Sequence, residues 1–245
     1  MADEIETALY SVSTPIGNLD DITFRALEVL RGVDIIACED TRMTSRLCEK
    51  YDIKTRLVSY HKFSENKRTG LFLDYLREGK SVAIVSDAGT PLISDPGEIL
   101  VKSVSEAGFK VIPVCGACAV ITLLQSVQRE GESFKFAGFL PRTQGQIEEV
   151  FIKNKTENLV FYESPNRIRK TLETLRALRP DTLLSLGREL TKKFEEIKTA
   201  PVDEILDNLV EKGEFVCLVH RSPDDSDDAL IVEKASTLKG LRLCD

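Results

Sequence analysis

The sequence holds no tryptophan, and only two methionines and two histidines, among 245 residues. The histidines, His61 and His220, stand too far apart in the chain to suggest a metal pair, and no metal is expected. Neither G-x-G-x-x-G nor G-x-x-x-x-G-K-[ST] occurs, so a dinucleotide or P-loop nucleotide site has no fingerprint. No apolar run approaches the length of a membrane span, and the N-terminus M-A-D-E-I-E is acidic where a secretory signal would be basic. A cytoplasmic protein with no membrane partner is the expectation. Six cysteines, at 38, 48, 115, 118, 217 and 244, are too few and too irregular for a disulfide scaffold, so most are expected reduced. Positive charge is outnumbered, 33 Lys and Arg against 40 Asp and Glu, for a net charge of −7. That excludes a general nucleic-acid coat and leaves room for a local basic face.

What is present is an ordinary globular composition, 42% hydrophobic and 30% charged, in a chain long enough for one large domain or two modest ones. The stretch Ser86-Asp87-Ala88-Gly89-Thr90-Pro91-Leu92-Ile93-Ser94-Asp95-Pro96-Gly97 stands out. The apolar run Ser81–Val85 before it reads as a buried strand. Glu98–Ala107 after it has helical apolar spacing and a stop at Gly108. Glycine allows close backbone approach and positive φ, while proline holds the loop's shape. A connection of this kind needs only a few residues, so this longer, stiffer one reads as a binding loop; an ornate turn is the bland alternative.

Strands are expected at Thr7–Ser13, Val33–Ala37, Arg56–Tyr60, Ser81–Val85 and Phe109–Val114, with helices between them at Ile22–Arg31 (capped by Asp20 or Asp21), up to Tyr51, at Ser64–Glu78 and at Glu98–Ala107, and an apolar helix to about Val127. This alternation predicts a parallel sheet covered on both faces, with ligands bound beyond the carboxyl ends of its strands. The loops P-I-G-N-L-D-D, C-E-D-T-R, S-D-A-G-T-P and C-G-A-C all follow strands and should share one edge. Polar R-E-G-E-S (Arg129–Ser133) marks a linker, giving expected domains 1–128 and 129–222 and a polar tail, 223–245, with a weak helical run at Ala229–Leu238. The second domain is expected to hold strands at Phe134–Phe139, Asn158–Tyr162, Thr182–Gly187 and Glu214–Val219. Its helices are expected at Gln144–Phe151, behind Ser164 as cap with Pro165 in the first turn, and at Val202–Glu211.

Each motif has a plain reading beside its chemical one. Cys115-Gly116-Ala117-Cys118 at a helix start has redox-pair spacing, but small buried thiols at a tight turn explain it as well. Glu39-Asp40-Thr41-Arg42 places two carboxylates and a guanidinium at a strand end, as helix cap or general base. Tyr162-Glu163 and Arg188-Glu189 repeat that pattern. Arg167, Arg169, Lys170, Arg176, Arg179, Arg188, Lys192 and Lys193 make the second half locally basic, as a solvated face or a phosphate contact. His61, at a strand end, is open to a site role or to solvent.

Taken in order, T-P-I-G-N-L-D-D-I-T, E-D-T-R, S-D-A-G-T-P-L-I-S-D-P-G, G-F-L-P, F-Y-E-S-P-N-R and R-E-L-T-K resemble one family. It is the bacterial ribosomal RNA small subunit methyltransferase I (2′-O-methylcytidine) family, a branch of the tetrapyrrole-methylase-like superfamily. The resemblance runs from about Leu9 to Val219. It implies an α/β fold of two domains, the class III methyltransferase architecture, with a parallel sheet in the N-terminal domain and a mixed sheet in the C-terminal one. It further implies S-adenosylmethionine as cofactor, a homodimer, and methyl transfer to a cytidine ribose of small-subunit rRNA, naked or in the assembled 30S subunit.

By the same resemblance the cofactor-binding residues are Pro15, Gly17, Asp87, Ala88, Gly89, Thr90, Pro91, Asp95, Gly116, Ala117, Cys118, Ala119, Phe161, Tyr162 and Glu163. A sugar hydroxyl needs a proton acceptor within hydrogen-bond reach, for which Glu39, Asp40, Glu163 and Glu189 are candidates. Arg42, Arg188 and Lys192 are candidates for holding phosphates. Departures from the family pattern are Met43 after E-D-T-R, the C-G-A-C turn and the segment Ser126–Glu130. A small-molecule methylase of tetrapyrrole type, and a cofactor- or RNA-binding module without catalysis, are the alternatives.

Overall fold

The computed structural model describes residues 5–61 and 65–222. They fall into two compact units, the described residues up to Thr122 with Thr191–Lys193, and Leu123–Leu190 with 194–222. The division comes before the expected boundary at residue 128. Leu123, fully buried, groups with the second unit, and its Cδ1 lies 3.2 Å from where a Cβ on Gly187 would sit.

The first unit runs β1 (Leu9–Val12), a 3₁₀ turn (Leu19–Asp21), α1 (Phe24–Gly32), β2 (Ile35–Cys38), α2 (Thr41–Lys50), β3 (Arg56–Ser59), α3 (Glu65–Arg77), β4 (Val82–Val85), α4 (Glu98–Glu106) and β5 (Val111–Val114); the division falls within α5 (Ala119–Leu124). The sheet order is β3-β2-β4-β1-β5, and every pairing is parallel. β2 (I-I-A-C) and β4 (V-A-I-V) are buried along their whole length, as central strands covered on both faces must be. On one face Tyr10, Val12 and Ile36 pack with Leu27 and Leu30 of α1 and Leu47 of α2. On the other, Leu9, Ile35 and Ile84 pack with Phe72 and Leu76 of α3 and with Leu100 and Val104 of α4.

The first helix begins later than expected. Asn18, not an aspartate, caps the 3₁₀ turn, Ile22 is extended, and Thr23 caps α1 by accepting from Ala26 N at 3.1 Å. The expected helix start at Ser64 lies outside the described residues.

The second unit runs β6 (Lys135–Phe139), α6 (Gln144–Lys153), β7 (Leu159–Glu163), α7 (Ile168–Leu178), β8 (Leu183–Arg188), β9 (Glu196–Pro201), α8 (Val202–Asp207) and β10 (Phe215–Val219). Its sheet, β6-β7-β10-β8-β9, is mixed: β6 and β7 are parallel, and the other pairs antiparallel. Phe151, Phe161, Leu172, Leu175, Leu184, Phe215 and Cys217 form its core.

Three details differ from expectation. β9, E-I-K-T-A-P, carries a lysine and a proline and buries only Ala200, the dress of an edge strand, which hides it from a search for apolar runs. α7 is entered through Arg167 rather than capped by Ser164; the Ser164 carbonyl instead accepts from Arg167 N and Ile168 N. α8 stops at Asp207, short of Glu211. The tail 223–245, with its weak helical run, lies outside the described residues. No helix among the described residues is long and apolar enough to cross a membrane.

Phe72 is fully buried and meets Tyr60 edge-on at 5.4 Å between ring centroids, whereas Phe24 is 88% exposed. Phe72→Ala is expected to cost about 3–5 kcal/mol and Phe24→Ala less than about 0.5 kcal/mol, read from urea unfolding of the first unit. Equal costs would contradict this placement of the core.

Candidate functional site

The parallel strands of the first unit end together, in the registers Cys38↔Val85, Ser11↔Ile84 and Val12↔Val114. Their following loops therefore lie along one sheet edge, as the alternation of elements predicts. These loops are laced to one another. Thr14 and Gly89 exchange two backbone hydrogen bonds, 2.8 and 3.0 Å, which join the loop after β1 to the loop after β4. Gly89 has φ +84°, and a Cβ there would lie 3.2 Å from Ile16 Cγ2. This glycine thus permits loop-to-loop approach, and its amide is committed to Thr14.

Thr90 Oγ1 donates to the Ala117 carbonyl at 3.0 Å and lies 3.0 Å from Ser13 Oγ. A Cβ on Gly116 would come within 2.8 Å of Ser13 Cβ, so only glycine fits there. Asp40 N donates to Asp87 Oδ1 at 2.9 Å, binding the loop after β2 into the same rim. Pro15, Gly17, Asp87 to Pro91, Asp95 and Gly116 to Ala119 all belong to these loops or their immediate continuations. Sequence reading named neither Ser13 nor Thr14 as a site residue, yet their hydrogen bonds do the lacing; a polar pair directly after a buried strand was the available signal.

The long loop carries backbone strain. Leu92 and Ser94 have φ +70° and +72°, and Gly97 has φ +132° with its N–H donating to Glu65 Oε1 at 2.7 Å. Non-glycine residues in this region cost energy and persist where surrounding structure holds them, often at functional sites. Of the described non-glycine residues with positive φ, only Asp52 lies outside this loop and the segment Glu189–Thr191.

The rim also collects carboxylates. Burial pushes Asp95 up to about 6, Glu39 and Asp87 add negative charge, and a hydrogen bond with Ser86 opposes the rise. Burial likewise raises Glu39, where Asp87 adds to the rise and nearby His61 opposes it. Asp87 is raised by burial and by Asp40. Asp40 behaves oppositely. It caps α2, accepts from Arg42 N at 2.9 Å, pairs with the Arg42 guanidinium at 2.6 Å, and is held down at about 2. The capping reading of Asp40 is therefore realised, and Arg42, its side chain 87% exposed, reaches outward from the rim.

Cys115 is exposed and Cys118 half-buried, both as free thiols, so the expectation of buried thiols fails there: β5, which leads into them, is an edge strand. Cys38, buried behind the rim, is pushed up to about 11 by burial and stays protonated. Among the described residues no group of His, Cys, Asp and Glu could hold a metal ion.

In the second unit Glu163 is buried. It accepts from Ser164 N (2.8 Å) and Thr171 Oγ1 (2.8 Å) and pairs with Arg167 at 3.2 Å. Arg167 in turn donates to the Leu140 and Pro141 carbonyls, tying the G-F-L-P-R turn to the start of α7. Phe161 is fully buried against Phe151, whereas Tyr162, on the opposite face of β7, meets Phe136 and the 56%-exposed Phe139. Arg188 pairs with Glu196 across the hairpin at 2.9 Å. Glu189 has φ +50°; its N–H donates to the Glu214 carbonyl and its Oε1 accepts from Glu214 N, each at 3.0 Å. Gly213 has no room for a Cβ beside this clamp. Lys192, half-buried, lies in the segment Thr191–Lys193 that groups with the first unit.

Asp95 also gives a stability prediction. Its folded pKa lies above the unfolded value, so the protonated acid stabilises the fold at low pH, and that contribution is lost as pH rises from about 4 through about 6. At about pH 7.5 the ionised group costs on the order of 1–3 kcal/mol. Asp95→Asn should be more stable than wild type at that pH and equal to it near pH 4, in urea unfolding. Equal pH curves for the two proteins would contradict the burial of this carboxyl.

Comparison with known proteins places this chain in a family. Residues 8–206 match the model of the Tetrapyrrole (Corrin/Porphyrin) Methylases. Ribosomal RNA small subunit methyltransferase I of Vibrio cholerae is 44% identical over 238 residues, covering 94% of this chain and 83% of its own length. The Bacillus subtilis protein of the same name is 40% identical over 225 residues, covering 90% of this chain and 77% of its own. Among solved structures, diphthine synthase superposes with a TM-score of 0.68 at 16% identity, covering 87% of this chain and 89% of its own. The methyltransferase CobJ superposes with 0.67 at 17%, covering 88% and 94%. These two likenesses show the shared fold. On the family model and on relatives alike along most of its length, the chain belongs to the ribosomal RNA small subunit methyltransferase I family of the tetrapyrrole methylases.

Proposed function

We propose that this protein is an S-adenosylmethionine-dependent methyltransferase acting on the 2′-hydroxyl of a cytidine in small-subunit rRNA, as a cytoplasmic homodimer. The observation that carries the reading is the laced rim of the first unit, with its raised carboxylates, in a chain 44% identical to a ribosomal RNA small subunit methyltransferase I. S-adenosylmethionine, when bound, supplies a methyl group on a positively charged sulfur. The rim suits such a group: Glu39, Asp87 and Asp95 are crowded carboxylates, and a cationic ligand relieves their mutual repulsion.

The residues divide by role. Asp87 and Asp95 favour the donor's positive charge. Gly89 and Gly116 keep the loops close enough to hold a shaped surface, so that donor and hydroxyl are aligned for in-line displacement. Glu39 is the proton acceptor. It is half-buried and its pKa is raised, whereas Asp40 is neutralised by Arg42, Glu163 is buried among its own donors, and Glu189 is clamped to Glu214. A raised pKa makes a carboxylate a better base. Arg42 offers an exposed guanidinium to a backbone phosphate. The E-S-P-N-R turn, held by Glu163 and Arg167, is a positioning element in the second unit.

Two measurements test this reading. Incubated with methyl-labelled S-adenosylmethionine and small-subunit rRNA or 30S particles, the protein should leave label in an alkali-resistant dinucleotide, because a 2′-O-methyl blocks cleavage of the adjoining phosphodiester. Label in a base, or only in a tetrapyrrole offered instead, would contradict the assignment. Glu39→Gln should lower methyl transfer by roughly 10²–10⁴-fold with donor affinity within a few-fold of wild type. In calorimetry, donor affinity should rise with pH through about 6, as the rim carboxylates ionise, and Asp95→Asn should flatten that rise. A pH-independent affinity in wild type would remove the rim from donor binding.

A further inference from the structure

The second unit holds a cavity of about 790 Å³ that none of the candidate catalytic or cofactor-binding residues above lines. It sits beside Asn158, which precedes β7, and His220, which follows the antiparallel β10. It is therefore at the end of the sheet opposite Glu163, roughly 13–16 Å away along β7 at the usual rise per residue. Gln128 and Pro180, both exposed, line it, so it opens to solvent.

Four cationic side chains line this cavity: Arg129, Lys155, Arg179 and Arg221. Arg179 donates one amino group to the His220 carbonyl at 2.8 Å, while its Nη1 is buried without a hydrogen-bond partner. Arg129 donates Nη1 to the Leu124 carbonyl at 3.3 Å, while its Nε is buried without one. Neither guanidinium forms an ion pair among the described residues. Carboxylates are few: Glu130, largely exposed, lies 3.8 Å from Arg221, and Asp181 is exposed at the rim. Burial lowers the Arg179 pKa, consistent with a cation held where water solvates it poorly.

Buried donors without acceptors are rare in folded proteins, and each calls for a partner. Water would satisfy the hydrogen bonds and leave the charge unbalanced. An oxyanion satisfies both, and guanidiniums match its geometry with paired, charge-assisted bonds.

We propose that this cavity is a phosphate-binding subsite for the RNA strand, in which Arg129 and Arg179 hold a backbone phosphate remote from the ribose being methylated. The proposal rests on the rRNA reading given above. A protein of net charge −7 must concentrate its cations locally to hold a polyanion, and this cavity is such a concentration. The contact positions the strand and carries no base specificity.

The test uses the full chain, with Arg129→Gln and Arg179→Gln made separately and their folding checked by thermal unfolding. Affinity for a small-subunit rRNA fragment is measured across a salt series. Each variant should flatten the slope of log affinity against log salt by about 0.7–0.9, the value of one lost phosphate contact. Arg179→Lys should restore the slope in part, and affinity for S-adenosylmethionine alone should not change. Because Arg179 also anchors the His220 carbonyl, Arg129→Gln provides the reading if Arg179→Gln unfolds. In parallel, inorganic phosphate should shift the Nε–H resonances of Arg129 and Arg179 in wild type.

A wild-type protein that methylates rRNA while both folded variants keep its salt slope overturns the subsite and leaves the function standing. A response to inorganic phosphate with unchanged RNA slopes also overturns it, leaving a pocket for free anions. Wild-type protein that neither binds nor methylates rRNA overturns the function and the subsite together.

Discussion

The rim of the first unit depends on the pair of backbone hydrogen bonds between Thr14 and Gly89. Parallel strands bring their carboxyl ends to one edge by topology alone, but topology does not hold the loops beyond them in a fixed relation. The Thr14–Gly89 bridge does so, and the Ser13–Thr90–Ala117 chain of contacts extends it to the loop after β5. Gly89 and Gly116 are glycines because a side chain at either would press on the neighbouring loop, Ile16 in one case and Ser13 in the other. Strain at Leu92 and Ser94 is tolerated downstream of an anchor already in place.

That lacing has an electrostatic consequence. Drawing the loops together drives Glu39, Asp87 and Asp95 into partial burial and mutual repulsion, and each is raised from its ordinary value. Asp40 stands in the same rim and escapes, since Arg42 is two residues away and the start of α2 accepts its charge. Four acids at one edge thus separate into one that is paired and three that gain from a cationic ligand. In the second unit the charged candidates are instead consumed by structure: Glu163 by Thr171 and Arg167, Arg188 by Glu196, Glu189 by Glu214.

The sequence disclosed the sheet and its rim better than the contacts within them. Short apolar runs followed by Gly- and Pro-rich loops and then by helical spacing announce a parallel sheet, and the five strands form where those runs lie. The lacing did not show, because Ser13 reads as the end of a strand and Thr14 as the start of its loop, and a backbone bridge to Gly89 leaves no mark on composition. β9 escaped because five of its six residues stay outside the core and only Ala200 is buried. Glu163 was a candidate base as a carboxylate at a strand end; its donor Thr171 stands eight residues on, and only folding brings the two together. The thiols of C-G-A-C were expected inside, and the edge position of β5 turns Cys115 outward.

The central claim is that the laced rim of the first unit holds the methyl donor. Amide hydrogen exchange of the whole protein, with and without S-adenosylmethionine, tests it most directly. The account predicts slowed exchange on donor binding in the segments 86–97 and 115–118, the two loops joined through Thr90 and Ala117. Donor binding that leaves both segments unchanged, with protection elsewhere in the chain, would contradict it.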